Sequence, residues 1–277
     1  MTLMILGTAS SVGKTTIVAG LCRIFSDAGI RVAPFKSQNM SHAAGIANGK
    51  VIAEAQLLQA EAARMKPVVD MNPILLRPLG GTTVEIYLMG ESHAEEHART
   101  YYEQTGFFLE KALEAYHRLA AVSNCVIIEG AGGAAEVNLY SRDIANVLLA
   151  RELQVPIILV ADIERGGVFA QVYGTIALLP EDIRKNVKGI IINKFRGDSS
   201  LFEEGKTILE TRTGVPVLGV IPYLNLHLPE EDSLSGNPGK TAETKEERDA
   251  EFDKLAAHLS KHLDLDAVFN IAGISGY

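Results

Sequence analysis

Short runs that are apolar at nearly every position recur along the chain, separated by longer stretches of mixed polarity. The runs are LMIL from Leu3, VAPF from Val32, VEIYLM from Val84, CVIIE from Cys125, PIILVAD from Pro156, GIIIN from Gly189 and VPVLGVI from Val215. Runs of this length, rich in β-branched residues, predict strands buried on both faces, as parallel strands are. Each ends in a polar or glycine-rich turn. Between them, Lys14 to Ala28, Ile52 to Arg64, Glu95 to Ala121 and Ser141 to Glu152 predict helices. The alternation predicts an α/β fold with a doubly wound, mostly parallel sheet. Such sheets bind ligands beyond the carboxyl ends of their strands, so the turns after the apolar runs are where chemistry is expected.

Leu228 to Asp249 breaks the pattern. It is rich in Pro, Glu, Ser, Gly, Asn, Lys and Thr, without apolar period, and predicts a linker or long loop. After it, Phe252, Leu255, Ala256, Leu259 and Leu263 fall on one face of a helix. The expected organisation is therefore a main domain over 1–228, a polar linker over 229–250 and a helical segment over 251–277 that packs on the domain.

Composition narrows the setting. The 277 residues carry a net charge of −8, which disfavours non-specific nucleic-acid binding. No apolar run is long enough to span a bilayer. The start, MTLMILG, has neither a basic region nor a small-residue cleavage site, so it does not read as a signal peptide. Cys22 and Cys125 sit inside apolar runs and read as buried small side chains. A cytoplasmic protein is expected.

The first strand leads into Gly7-Thr8-Ala9-Ser10-Ser11-Val12-Gly13-Lys14-Thr15-Thr16, which opens the first helix. This is the strand–loop–helix context of a phosphate loop. Successive backbone N–H groups form an anion nest, and the helix N-terminus adds partial positive charge. Thr8, Ser11, Val12, Gly13, Lys14, Thr15 and Thr16 are the expected nucleotide-binding residues. Lys14, facing solvent until phosphate binds, would reach the β- and γ-phosphates, and Thr15 would offer its hydroxyl to Mg²⁺. The usual spacing puts the first glycine where Thr8 stands; here it is Gly7. The extra lysine that partition and septum-site ATPases carry near the loop start is replaced by Ala9, and the loop is more similar to that of dethiobiotin synthetase.

Glu129 closes CVIIE and precedes Gly130-Ala131-Gly132-Gly133. A carboxylate across the sheet from a phosphate loop suits Mg²⁺, directly or through water. With this motif the chain resembles the ATP-binding domain of cobyric acid synthase. The stretches that carry the resemblance are PFKSQNMS from Pro34, DMNPILLRP from Asp70, EGAGGAAEVNL from Glu129, RDIANV from Arg142, ADIERGGVFAQVYGTIALLP from Ala161, KGIIINKFRGD from Lys188 and GVIPYLNLHLPEEDSL from Gly219. They run in the family's order.

The resemblance implies ATP-dependent amidation of corrin side-chain carboxylates through an acyl phosphate. It implies Lys14 and Lys36 for phosphate charge, Thr15 and Glu129 for Mg²⁺, and Asp143 as an acid of the phosphorylation step. Asp143 can equally be a helix N-terminal acid. Asn193 matches the place where dethiobiotin synthetase-like proteins hold adenine. Gln38, Asn39 and Arg165 are expected to face the substrate; Arg165 beside two glycines suits carboxylates. Full-length members of the family carry a glutamine amidotransferase domain with a cysteine nucleophile, which these residues do not contain. Ammonia would come from a separate glutaminase subunit or domain, and a homodimer is compatible with the family. The tail KLAAHLSKHLDLDAVFNIA is more similar to the end of cobyrinic acid a,c-diamide synthase, which leaves open the carboxylates amidated.

Two histidine pairs invite a metal reading. His93-Ala94-Glu95-Glu96-His97 has an H-x-x-E-H spacing, and His258 and His262 lie four apart. Both are expected to be exposed helical faces.

Overall fold

The computed structural model describes residues 1–228, 242 and 244–275. In chain order the strand β1 (Thr2–Gly7) leads to helix α1 (Lys14–Asp27), followed by β2 (Val32–Phe35), β3 (Gln38–Met40), β4 (Ala44–Ala47), β5 (Lys50–Ala53) and α2 (Glu54–Ala62). Then come β6 (Ile74–Gly80), β7 (Thr83–Leu88), β8 (Glu91–His97), α3 (Ala98–Glu103), α4 (Thr105–Val122) and β9 (Cys125–Glu129). The second half holds α5 (Val147–Leu153), β10 (Ile157–Asp162), α6 (Val168–Leu178), α7 (Glu181–Arg184), β11 (Val187–Phe195), α8 (Glu203–Thr213) and β12 (Val217–Pro222). Two helices, α9 (Lys245–His262) and α10 (Leu265–Ile271), close the described chain.

Six strands form one sheet in the order β12-β11-β10-β1-β9-β2, and every pairing in it is parallel. The apolar runs predicted this because each strand is covered on both faces. In β1, Leu3 and Ile5 pack toward Ile17, Leu21 and Phe25 of α1, and toward Phe252 and Leu259 of α9. Met4 and Leu6 pack on the opposite face with residues of α4, α5 and α6. The sheet is doubly wound. The chain leaves β1 for β2, later returns to insert β9 between them, and then builds outward from the other side of β1. Strand order reverses there, so the carboxyl ends of β1 and β9 flank the crevice in which such folds bind ligands. Ile5 pairs with Glu129, which brings the loop after β1 beside that carboxylate.

Four expectations change. VEIYLM is β7 and belongs to a second sheet, β3-β6-β7-β8, in which β6, β7 and β8 are antiparallel. Its burial alternates between Val84 and Ile86 inward and Glu85 and Tyr87 half-covered, as a one-sided strand requires. The helix expected from Glu95 begins only at Ala98, because 91–97 pair with β7 as an exposed polar edge strand. Helix α2 starts at Glu54, since Lys50 to Ala53 pair with β4. The helix expected from Ser141 starts at Val147.

The closing helix is longer than its apolar stripe suggested. Thr244 and Glu247 form a reciprocal capping box, each side chain accepting from the other's backbone N–H at 3.1 Å. That satisfies two of the donors a helix start leaves open and sets the first turn at Lys245. The remainder of the expected linker, 229–241 with 243, lies outside the described residues, and the acidic run Glu230-Glu231-Asp232 with it. Gly20 lets α9 approach α1 closely: a methyl group there would overlap the Leu259 side chain. Arg23 of α1 is fully buried and ion-paired with Asp249 and Asp253 of α9, its guanidinium 5.5 Å from the Phe252 ring centre. Arg248 holds Glu61 of α2 through two bonds of 2.8 and 3.1 Å. No helix among the described residues is long and apolar enough to cross a membrane.

Candidate nucleotide site

The loop after β1 turns through two left-handed positions, Ser11 at φ 56° and Gly13 at φ 97°. Glycine suits the second because it has no Cβ to clash, and a methyl group there would also strike the Asn193 amide. Gly13 then caps α1. Lys14 does not face solvent as expected: it is only 6% exposed. Its ammonium donates to the carbonyls of Ala9 at 3.1 Å and Gly132 at 2.7 Å, bridging the loop to the glycine-rich turn after β9. An arriving phosphate would compete with backbone carbonyls already held by the lysine.

Glu129 is the focus of the site. It is 1% exposed, and its carboxylate is fully engaged. Oε1 accepts from the Thr15 hydroxyl at 2.8 Å and from the Lys36 ammonium at 3.0 Å; Oε2 accepts from the Gln59 amide at 2.5 Å. Thr15 comes from α1, Lys36 follows β2, Gln59 lies on α2 and Glu129 ends β9, so four elements converge. These donors offset the cost of burying the carboxylate. The Thr15 hydroxyl beside the Glu129 carboxylate is a pair of hard oxygen donors. Mg²⁺ suits such sites, where a nucleotide's phosphates and waters complete the octahedron. Among the described residues no group of three or more His, Cys, Asp or Glu side chains could hold a metal ion by itself.

Asp143 reaches the same crevice by a different route. Its carboxylate accepts from the backbone N–H groups of Ala145 at 3.1 Å and Asn146 at 2.8 Å, and from the Asn146 side chain at 3.0 Å. Asn146 in turn grips Ala131, donating to its carbonyl at 2.7 Å and accepting from its N–H at 3.0 Å. Asp143 thus braces the turn that follows Glu129 and lines the cleft. Burial pushes its pKa up, against the bonds from Asn146 and Ala145 that pull it down. On the neighbouring wall the Tyr101 hydroxyl donates to Gln38 at 2.7 Å, and burial raises that phenol's pKa far above its ordinary value. Asn39 donates to Gln56 at 3.2 Å.

At the far end of the loop, Asn193 is buried and donates its amide to the Val12 carbonyl at 2.9 Å. Lys194 follows in a left-handed conformation, φ 61°, and donates to the Ser11 carbonyl at 2.5 Å and to Asp162 at 3.0 Å. Both residues end β11 and clamp the phosphate loop from outside.

The structure brings most of the expected residues to one cleft: Ser11, Gly13, Lys14, Thr15, Thr16, Lys36, Gln38, Asn39, Glu129, Asp143, Arg165 and Asn193 all line it. Two stand apart. Thr8 turns its hydroxyl to Gln171 of α6 at 3.3 Å, and Val12 buries its side chain in the core, leaving its backbone for the loop. Sequence reasoning missed Gln59, Gln56, Asn146, Lys194 and the exposed Arg142, which also borders the cleft. Arg142 and Asn146 flank Asp143 in the RDIAN motif and could have been read with it.

The histidine pairs resolve differently from one another. His93 and His97 lie on β8, an exposed strand and not a helix. His258 and His262 do lie on α9, but their ring nitrogens donate to the carbonyls of Pro222 at 2.9 Å and His258 at 2.8 Å.

The chain has curated relatives over most of its length. It is 61% identical over 236 residues to a probable cobyric acid synthase of Methanosphaerula palustris, covering 85% of this chain and 48% of that protein. It is 58% identical over 236 residues to one from Methanoregula boonei, covering 85% and 49%. It is 52% identical over 287 aligned positions to one from Methanoculleus marisnigri, covering 100% and 58%. The chain therefore spans about half the length of the curated relatives it matches. A family model described as the CobQ/CobB/MinD/ParA nucleotide binding domain matches residues 3–233, which takes in the phosphate loop, Glu129, Asp143 and Asn193, and the chain belongs to that family.

Proposed function

We propose that this chain binds ATP with Mg²⁺ and uses it to activate side-chain carboxylates of a corrin for amidation, as the synthetase part of a cobyric acid synthase. The observation that carries the reading is the convergence of Thr15 and Lys36 on the buried Glu129 beside the phosphate loop. The identity of 61% to a probable cobyric acid synthase supports the substrate class.

The chain's residues divide the work. The backbone N–H groups of the loop and Lys14 hold the β- and γ-phosphates, where accumulating negative charge needs preorganised donors. Thr15 and Glu129 would hold Mg²⁺ against those phosphates; when bound, the ion neutralises charge on the transferring group. Lys36, released in part from Glu129, supplies a second positive charge on the substrate side. A substrate carboxylate oxygen attacks the γ-phosphorus, the bond to the β-γ bridging oxygen breaks, and ADP leaves. Ammonia then attacks the acyl carbon, inorganic phosphate departs with the acyl C–O electron pair, and the amide nitrogen loses a proton. Gln38, Asn39 and Arg165 face the side from which a polycarboxylate would approach, and Asp143 braces the turn beside the reacting groups. Positioning and charge neutralisation supply most of the catalysis.

The test is mass spectrometry of products after incubation with ATP, Mg²⁺, ammonium and candidate cobyrinic acids. Mass changes of one amide per carboxylate, dependent on ATP, support the reading. ATP turnover that needs neither the acid nor ammonium would point instead to an ATPase switch.

A further inference from the structure

A line of three buried amides runs from the cleft wall to the central carboxylate. Asn39 is 3% exposed, and Gln56 and Gln59 are fully buried. Asn39 donates to Gln56 Oε1 at 3.2 Å, Gln56 donates to Gln59 Oε1 at 3.3 Å, and Gln59 donates to Glu129 Oε2 at 2.5 Å. The direction of this line is forced. An ionised carboxylate only accepts, so Gln59 must present its nitrogen to Glu129 and its oxygen to Gln56; Gln56 must then present its oxygen to Asn39. All three amide dipoles point their positive ends at the carboxylate, an arrangement in which each bond polarises the next.

Helix α2 has no packing need for these glutamines. Gln56 and Gln59 sit among buried Ala55, Ala60 and Ala62, where apolar side chains would avoid the cost of burying amides. Gln59 also reaches the Thr15 backbone carbonyl at 3.4 Å, so one amide spans both the Thr15 segment and Glu129. Oε1 of Glu129 is turned to Thr15 and Lys36 by the grip on Oε2.

We propose that Gln59, held in orientation by Gln56, is a positioning residue that fixes the Glu129 carboxylate for the metal face of the nucleotide site. This rests on the reading of Glu129 as a Mg²⁺-side residue. The device aims one carboxylate oxygen without adding a second charge beside Lys36.

The test compares ATP affinity with and without Mg²⁺ by titration calorimetry, beside thermal melting. Glu129→Gln is the reference and should lose most of the Mg²⁺-dependent gain. Gln59→Met removes the donor at similar volume. It should lower that gain on the order of tenfold, the scale of a hydrogen bond to a charged group, while Mg²⁺-free affinity, which belongs to the phosphate loop, stays unchanged. Gln56→Met should lower it less, because Gln59 keeps its donor but loses its orientation. A role in packing alone would instead move the melting temperature and leave the Mg²⁺-dependent gain intact, overturning the proposal. If Gln59→Met does not fold, two measurements decide: the Gln56→Met titration, and the side-chain amide protons of Gln59 in the wild-type NMR spectrum. Those protons should resonate downfield of free glutamine, and a free-glutamine position would overturn the proposal. If Glu129→Gln itself keeps the full Mg²⁺-dependent gain, the metal-face reading falls too; if only the glutamine variants keep it, the positioning role falls alone.

Discussion

Asn193, at the end of one strand, donates its side-chain amide to the backbone carbonyl of Val12, 181 residues away, at 2.9 Å. This bond fixes the outer wall of the phosphate loop, and it leaves Asn193 a second N–H and its oxygen for a base. Asn193→Ala should therefore weaken two things. Affinity for inorganic tripolyphosphate should fall about fivefold, the scale of one neutral hydrogen bond. ATP should lose a further factor of similar size if the residue also holds adenine, and titration of the two ligands in parallel measures the difference. An equal loss for both would remove the adenine contact and leave Asn193 as a loop clamp.

The same packing makes Gly13 intolerant. Gly13→Ala places a methyl group on the Asn193 amide and asks alanine to hold φ 97°. Strain of this kind costs on the order of 1–3 kcal/mol, and the loop relaxes by losing its nest geometry. Nucleotide affinity should drop at least tenfold while the far-UV spectrum stays native. Lys14→Ala should go further and abolish ATP turnover. The lysine is buried against the carbonyls of Ala9 and Gly132, in loops that follow strands of the central sheet, so the protein should remain folded, with a melting temperature within a few degrees of wild type. A folded Lys14→Ala protein with normal turnover would remove the phosphate-loop assignment.

How much of this was legible in the chain depends on whether burial was two-sided. CVIIE and PIILVAD are covered on both faces, so their hydrophobicity alone marks them as central parallel strands. VEIYLM also reads as a strand, but its alternation of Val84, Glu85, Ile86 and Tyr87 was the sign that it belongs to a one-sided sheet. ESHAEEH carried no such sign. Among the described residues it is an exposed edge that pairs with β7, so nothing apolar marks it, and its residues read as the start of the following helix. In the site, Lys14, Thr15 and Glu129 were legible because strand-end motifs fix their types. Gln59 was not. A glutamine inside an amphipathic helix pattern reads as solvated, and only the fold turns that face inward, onto Glu129.

The contact between the first and closing helices gives a stability prediction. Arg23 is fully buried, its Nε and Nη1 atoms have no hydrogen-bond partner among the described residues, and its ion-pair partners Asp249 and Asp253 are about half exposed or more. Burying a cation incurs a desolvation cost that a half-solvated partner offsets poorly. Arg23→Met keeps the stem's packing and removes the charge, so it should be neutral or stabilise by about 1–2 kcal/mol in denaturant unfolding. Asp249→Asn leaves the buried cation weakly paired and should destabilise by about 1 kcal/mol, the low end for a solvated partner. If Arg23→Met is the more damaging change, the pair is a net source of stability.

The nitrogen source can be tested on the chain as it stands. A thiolate is needed to open glutamine, and burial keeps both thiols protonated: Cys125 is pushed up to about 11, and Cys22 is raised as well. Neither can serve as a nucleophile near neutral pH. Ammonium should support amide formation by this chain and glutamine should not, as read by product mass. Release of ammonia from glutamine by the purified chain would show a nucleophile elsewhere.

Asp143 separates bracing from chemistry, and its ionisation makes the separation measurable. Burial raises its pKa above the ordinary carboxylate value. Its contribution to stability is therefore fully present below that ordinary value and is lost as pH rises through the raised one. Asp143→Asn is uncharged at every pH and escapes this loss. Its side-chain oxygen can still accept from the Ala145 and Asn146 backbones, although its amide meets the Asn146 side chain with the wrong polarity. The stability of the variant relative to wild type should therefore shift in the variant's favour by a small margin as pH rises from below the ordinary carboxylate value. Activity should respond differently. If Asp143 acts in the phosphorylation step, single-turnover ATP cleavage with saturating tetrapyrrole acid should fall on the order of 10²-fold or more, the scale of a lost electrostatic stabiliser. ATP affinity should remain near wild type, since the Asp143 carboxylate accepts from Ala145 and Asn146. If Asp143 only braces the turn through Asn146 and Ala131, Asn146→Ala should reproduce the loss and Asp143→Asn should retain most of the rate. Measuring both variants in the same single-turnover assay decides between them, because only a role for the charge itself makes Asp143→Asn the more damaging change.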